Sequence, residues 1–407
     1  MYLHSQETGE QDNSGTNSSG IITSIEIIGL KRTKPRVARY PLEQFLGREG
    51  STLDMNAVKA AIKSTGILEP LEVELVNKGD GLVLRLTVEE KWAIFPFPLF
   101  MASSGGIGAG LFLTDLNAFG LLDRAAVGGM YASNGWMVTA MYQQTPGRIG
   151  EPGWNGAFSY SRRDSANTDR KGILHRRYTT DQIRFSLGLN VPFTDHFSSN
   201  GYLWFSAVSL KENRNTLNPP GNGAMILGIN RSIFLHYSRW DGYLLSRQNL
   251  SLGYTRNISI LGSSFHQIDF RGVYEQSLVP GFRLTLRSGA IWKSEADPGS
   301  APLYEEGPQR ALVDILPGSF SARCYAGFSG GLEKYLFKIR WGTLSVVGAW
   351  QCVFSYGLIS GCEFDNGPSG GLRFYLSHLA LPALGGGIAY NINSGLYQLT
   401  LNMGMDF

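Results

Sequence analysis

The segment Tyr397-Gln398-Leu399-Thr400-Leu401-Asn402-Met403-Gly404-Met405-Asp406-Phe407 alternates apolar and polar residues without a break. Alternation at period two gives a strand one apolar and one polar face. The same pattern recurs upstream. Ile183, Phe185, Leu187, Leu189 and Val191 alternate with Gln182, Arg184, Ser186, Gly188 and Asn190. Phe282, Leu284, Leu286, Ala290 and Trp292 alternate with Arg283, Thr285, Arg287 and Lys293. Leu250, Leu252 and Tyr254 share a face, as do Leu344, Val346 and Trp350, and Leu372, Phe374 and Leu376.

A soluble sandwich alternates in the same way, so other features must separate the two. The segments run about 10–14 residues, longer than the usual strand and enough to cross a bilayer at a tilt. Their polar face is rich in Gly, Ser, Asn and Arg, which suits a wet lumen. Aromatics stand at segment ends (Trp136, Tyr142, Trp154, Tyr178, Trp240, Tyr243, Trp292, Trp341), as in an interfacial girdle. About 15 candidate segments lie between Gly105 and Phe407. Even counts prevail in single-chain barrels, so about 16 strands are expected, with 14 as the alternative.

Composition agrees. The 407 residues include 51 glycines, and only 17% are charged. Low charge excludes a disordered chain, and the glycines lack a three-residue period, which excludes collagen. No apolar stretch reaches 18 residues, and the nearest to it, Ala93 to Ala102, is broken by Pro96 and Pro98, so no transmembrane helix is expected. A net charge of +3 without a basic stripe excludes a nucleic-acid partner. Residues 1–20 form a polar tail with no basic region followed by an apolar run, so no secretory leader is visible. Either a leader was removed or misplaced at the gene start, or the protein is not exported.

Residues 21–92 read differently. Ile21 to Leu30 is β-rich, Lys34 to Leu46 is a short helix interrupted by Pro41, and Met55 to Thr65 is a helix N-capped by Asp54. Leu71–Val76 and Leu82–Val88 are two strands joined at Lys78-Gly79-Asp80-Gly81. The expected order is β-α-α-β-β. The chain therefore divides into a tail over 1–20, a small α/β domain over 21–92 and a transmembrane antiparallel β-barrel over 93–407.

Other candidate chemistry is sparse. Cys352 and Cys362 could pair in an oxidising compartment, leaving Cys324; isolated small hydrophobes are the other reading. Gly327-Phe328-Ser329-Gly330-Gly331 fits G-x-S-x-G but lacks the strand-to-helix setting of a nucleophile elbow. The six histidines are scattered, so neither enzyme activity, metal nor cofactor is expected. Arg162 to Arg177 is a basic loop suited to lipopolysaccharide phosphates or simply to solvent, and Lys293 to Tyr325 is a long loop.

The order of these parts resembles the outer-membrane assembly superfamily of BamA/TamA type, also called bacterial surface antigen. The small domain resembles a POTRA domain in Ile25-Glu26-Ile27-Ile28-Gly29, Lys63-Ser64-Thr65-Gly66-Ile67-Leu68 and Leu84-Arg85-Leu86-Thr87-Val88-Glu89-Glu90. The first hairpin resembles the family's in Gly108 to Leu113 and Asp115 to Gly120, and Gln144-Thr145-Pro146 matches a third-strand end. The family's Arg-Gly-aromatic motif on a loop folded into the lumen corresponds to Arg323-Cys324-Tyr325, with Cys324 replacing the glycine. The resemblance implies that Arg323 meets acidic residues of the inner wall. Glu333 matches one of these, while Gln351 stands where an Asp belongs.

The resemblance further implies a bacterial outer-membrane location, with the POTRA-like domain in the periplasm. Client outer-membrane proteins, the lipid bilayer with its lipopolysaccharide, and a periplasmic partner would be the contacts. The implied mechanism is strand pairing at a seam between the first strand (Gly105, Gly108, Gly110) and the last (Tyr397, Leu399, Leu401, Met403, Met405, Phe407). A passive pore whose POTRA-like domain is a plug or dimerisation module is the alternative. A soluble β-sandwich is a third reading.

Overall fold

The structure is a computed structural model. It describes residues 20–63, 65–79, 81–103, 106–145, 150–212, 214–219, 223–240, 245–261, 263–294, 312–339, 342–357, 361–376 and 384–403. Gly105, Met405, Phe407, Tyr243 and Trp341 lie outside them. Two compact units divide the chain. One runs through Ala93 and takes in Asn117–Leu122, and the other holds Ile94–Leu116 and Asp123–Phe407.

The first unit is built from strand β1 (Ile22–Ile28), helix α1 (Pro35–Arg39), helix α2 (Met55–Lys63) and strands β2 (Leu68–Lys78) and β3 (Gly81–Glu90). β3 is central, parallel to β1 and antiparallel to β2. Past α1 the chain tightens into a 3-10 turn over Tyr40–Phe45, where Pro41 cannot supply a helical N–H. The Asp54 carboxylate accepts from Asn56 N–H at 2.8 Å, capping α2. Val58 and Ile62 on α2 pack onto Leu84 and Leu86 of β3, with Ala38, Leu42 and Phe45 beside them. Burying this apolar face is what holds so short a sheet against two small helices.

The second unit is a single antiparallel sheet. Its strands are β4 (Ile94–Ser103), β5 (Gly106–Ala118), β6 (Asp123–Ala132), β7 (Gly135–Gln143), β8 (Gly153–Thr168), β9 (Leu174–Pro192), β10 (Phe197–Lys211) and β11 (Gly223–Trp240). They continue as β12 (Leu245–Leu261), β13 (Phe265–Val279), β14 (Phe282–Lys293), β15 (Cys324–Ile339), β16 (Gly342–Gly357), β17 (Gly361–Leu376), β18 (Leu384–Asn391) and β19 (Leu396–Met403). Each neighbours the next in chain order. The sheet curls until β19 meets β4, with Thr400 opposite Ser103 and Leu401 opposite Ala102. Among the described residues these are the register pairs that join the two strands. The expected number of about 16 strands is found.

The alternation seen in the sequence sets the two faces. Ile183, Phe185, Leu187 and Leu189 are exposed on the outer face, as are Leu250, Leu252 and Tyr254. Arg283, Thr285 and Lys293 are buried on the inner face. Tyr178 departs from the expected girdle, being buried, and the Tyr142 hydroxyl donates to Asp123 at 2.5 Å.

Two expectations are corrected, and the open alternative for the cysteines is decided. The first barrel strand is Ile94–Ser103 and not the segment near Gly105, in spite of Pro96 and Pro98, which strands tolerate at edges. The basic stretch Arg162 to Arg177 is mostly strand, with a short turn at 169–173, and Arg162 is paired to Asp181 at 2.7 Å. Cys362 lies opposite Tyr356, whereas Cys352 lies opposite Asn366. The two cysteines are thus four residues out of register, roughly 13 Å along a strand, too far for a disulfide. All three thiols are free.

Candidate functional site

The inner wall over β12–β17 carries a network of ionised side chains. Alternation points Arg247 of β12, Glu275 of β13, Arg283 and Arg287 of β14, Glu333 of β15 and Arg373 of β17 inward. Register then brings them together: Arg247 is opposite Glu275, and Arg283 is opposite Glu333. The Glu275 carboxylate accepts from Arg247 Nε and from Arg287 at 2.8 Å each, and lies 3.4 Å from Arg283. Glu333 accepts from Arg283, from the Ser345 hydroxyl, from Arg373 at 2.8 Å and from the Tyr375 hydroxyl at 2.8 Å. Glu333 has no exposed surface, and Arg283 is 1% exposed. Buried charges of this kind persist only when paired and hydrogen-bonded. The four arginines outnumber the two glutamates, so the network carries positive charge into the lumen.

The segment 312–323 after β14 packs inside this wall. Val313, Ile315, Leu316, Phe320 and Ala322 form an apolar cluster with Ile291, Tyr325, Val353 and Ala389 of the wall. Asp314 N–H donates to Gln351 Oε1 at 2.7 Å, and Thr168 N–H donates to Ser319 O at 3.0 Å. The segment is therefore tied to β16 on one side and β8 on the other. Gln351 Nε2 donates onward to Ser369 at 2.8 Å, which fixes the amide orientation. Asp314 shares a small cavity with Arg287 and Arg373.

The residues singled out by sequence fall in several places. Gln351 holds the lumenal segment. Tyr325 is buried in the apolar cluster, ring to ring with Phe320 at 6.2 Å. Cys324 opens β15, its thiol 3.8 Å from Lys293 O. Arg323 and Glu333 do not meet. Ten residues of nearly continuous strand, roughly 30 Å, separate them. Arg323 instead lies over the Tyr356 ring at 4.5 Å, and its N–H donates to Tyr356 O at 2.9 Å. Glu333 belongs to Arg283 and Arg373. These partners, with Glu275 and Arg247, went unmatched in the sequence reading because register is a tertiary property. The available clue was long charged side chains at inward positions.

The seam residues also shift. β19 pairs with β4, so Gly108 and Gly110 lie on the second strand. A Cβ at Gly110 would come within 2.7 Å of Gly129 O, and one at Gly108 within 2.9 Å of Ala132. These glycines let β5 approach β6 closely. Tyr397 and Leu399 of β19 are 67% and 69% exposed on the outer face. Leu401 and Met403 continue the same strand. Gly327–Gly331 runs straight within β15, and Ser329 is buried there with no strand-to-helix turn.

The first unit has a polar knot of its own. Glu90 accepts backbone N–H bonds from Lys31 at 2.7 Å, Arg32 at 2.9 Å and Thr33 at 3.1 Å. The Asn117 amide donates to Glu90 at 3.1 Å and to the Thr33 hydroxyl at 2.8 Å. Burial acts to raise the Glu90 pKa, but the N–H groups of Lys31, Thr33 and Arg32 outweigh it and hold the carboxyl below its ordinary range. Gly120, at φ +71°, closes the same knot, and a Cβ there would strike Arg32 O.

No protein-family model matches the chain, and no curated protein sequence matches it. Solved structures do. BamA from Haemophilus ducreyi lacking POTRA domains 1–3 superposes with a TM-score of 0.69 at 12% identity, covering 93% of this chain and 84% of that one. CdiB from Escherichia coli gives 0.66 at 13%, covering 95% and 77%. CdiB from Acinetobacter baumannii gives 0.65 at 13%, covering 95% and 74%. At these identities the likeness is one of fold: this chain has the fold of the BamA and CdiB barrels.

Proposed function

We propose that the chain is a bacterial outer-membrane protein that assists insertion or translocation of other proteins, without enzymatic chemistry. Its first unit acts as a POTRA-like periplasmic domain, and client strands pair at the seam between β4 and β19. The seam carries this reading. β4 pairs with β5 along its whole length, whereas among the described residues β4 and β19 share Ser103↔Thr400 and Ala102↔Leu401. Backbone groups left unpaired at a sheet edge can accept a further strand. Pro96 and Pro98 lower the pairing capacity of β4. The fold likeness to BamA and CdiB and the β-α-α-β-β order of the first unit support the same reading.

A cysteine lock tests it. Ser103→Cys with Thr400→Cys, with the three native cysteines changed to Ser, places a disulfide at an opposed pair. Oxidised protein should fail to insert client barrels into vesicles, and reduction should restore insertion. Undiminished insertion by the locked form would sink the seam mechanism.

A second reading, a passive pore, is favoured by one observation. A lumenal cavity of about 890 Å³ is lined by Arg163, Arg184, Trp204, Asn230 and Asp269. A large steady conductance in planar bilayers, equal in locked and reduced protein, would select the pore.

A further inference from the structure

The outer face carries an exception to its apolar rows. Ile229, Arg231, Ile233 and Leu235 face outward together from β11, and all are exposed. The isoleucines on either side of Arg231 are 50% and 42% exposed. The arginine therefore interrupts an apolar row and does not end it. Arg256, exposed on β12, does the same between Tyr254 and Ile258.

Register brings these cations together. Arg231 is opposite Tyr254, and Arg256 is opposite Ile229. They are diagonal neighbours on one strand pair, a spacing of roughly 7–8 Å. The other cross-strand partners are Gly201 for Arg231 and His266 for Arg256, so no carboxylate stands opposite either. Among the described residues, neither guanidinium makes a hydrogen bond or ion pair. Gly201 leaves the wall open beside Arg231: a Cβ there would meet nothing nearer than Asn230 O at 3.9 Å. On the other side the Tyr254 hydroxyl and His266 Nδ1 are 2.7 Å apart.

A lipid-facing arginine is costly unless an anion meets it. Two guanidiniums at diagonal spacing can share the several acceptor oxygens of one phosphate. Ile229, Ile233, Leu252 and Ile258 around them suit acyl chains. We propose that Arg231 and Arg256 form a binding site on the outer wall for the phosphate of a membrane lipid. The proposal rests on the membrane reading above. A lipid fits this face better than a protein does, because a lipid reaches two cations on a convex wall without a matching concave surface.

The test reconstitutes the full chain into phosphatidylcholine vesicles containing a minor fraction of either phosphatidylglycerol or a phosphorylated glucosamine-disaccharide lipid. Lipid retained after mild detergent extraction is read by native mass spectrometry. The wild type should retain one or both anionic lipids in preference to phosphatidylcholine, and the better-retained one identifies the source of the phosphate. Arg231→Gln with Arg256→Gln should lower that retention about tenfold, as expected for losing charge-assisted contacts. The paired lysine variant should keep part of it. Arg271→Gln, which removes an inward-facing charge, should leave it unchanged. Equal retention by the wild type and the double glutamine variant, both inserted, would overturn the site alone. Failure of the wild type to enter any of the vesicles would overturn the membrane reading and the site with it.

Discussion

Arg283 and Glu333 stand directly opposite each other on β14 and β15, bonded to one another and withdrawn from solvent. Neither is satisfied by that bond alone, since the Tyr375 hydroxyl joins both and Arg373 reaches the same carboxylate. Removing one partner should therefore leave an uncompensated charge. Glu333→Ala should destabilise the barrel by about 3–5 kcal/mol, read as a lower denaturant midpoint in vesicle-folded protein. Glu333→Gln, which keeps the acceptor oxygen, should cost less. Equal midpoints for wild type and Glu333→Ala would show that the network is solvated.

Gln351 is the expected latch of the lumenal segment. Gln351→Ala removes the acceptor for Asp314 N–H, at about 1–3 kcal/mol for a stranded buried donor. The segment should loosen, giving a larger and noisier conductance and faster cleavage near residue 314 by added protease. Gln351→Glu should restore a quiet trace, because a carboxylate oxygen can accept the same bond.

The first unit should be acid-sensitive through Glu90. Its folded pKa is lowered, so its contribution is complete above the unfolded carboxyl value of about 4.3. That contribution is lost as pH falls through the folded value. Circular dichroism of the unit's unfolding should show stability declining below about pH 4.3 in the wild type. Glu90→Gln should be less stable at neutral pH and flatter in this range. A wild-type profile parallel to that of Glu90→Gln would refute the assignment.

Opposite faces of β9 should respond oppositely to charge. Leu187 is exposed on the outer wall, and Ser186 lines the lumenal cavity. Leu187→Arg should cost about 2–4 kcal/mol, and less if the residue lies nearer an interface. Ser186→Arg should be near neutral. The readout is a guanidinium titration in phospholipid vesicles, and equal costs would argue that the outer face does not meet lipid.

What could be read from the sequence was what repeats at period two. Leu187 and Leu250 announce the outer wall, and Arg283 and Arg287 the inner one, because alternation is local. β4 was hidden because Pro96 and Pro98 look like breaks, although an edge position tolerates them. Gly108 and Gly110 were misplaced to the seam for the same reason, since losing one strand shifts every later neighbour by one. The partners of Glu333 were out of reach. Arg283 lies 50 residues away and Tyr375 lies 42 residues away, and only register makes them adjacent. Gln351 was found, yet its role as a holder of Asp314 N–H needed the folded loop.

The ionic network also constrains the order of assembly. Glu275 of β13 draws its cations from β12, β14 and β17, and Glu333 of β15 draws its own from β14 and β17. Within one hairpin these charges cancel on β12 and β13, where Arg247 faces Glu275; β14 and β15 set Arg283 and Arg287 against the single Glu333, and Arg373 of β17 finds its carboxylates on β13 and β15. The β14–β15 hairpin alone would carry one cation of this network more than it has carboxylates, at a cost of several kcal/mol in hydrocarbon. The ion pairs of β13 to β17 are therefore complete only when all of these strands are in register. The folding rate in vesicles should therefore fall more when Arg373 is removed, whose carboxylates lie two and four strands away, than when Arg247 is removed, whose carboxylate faces it within one hairpin.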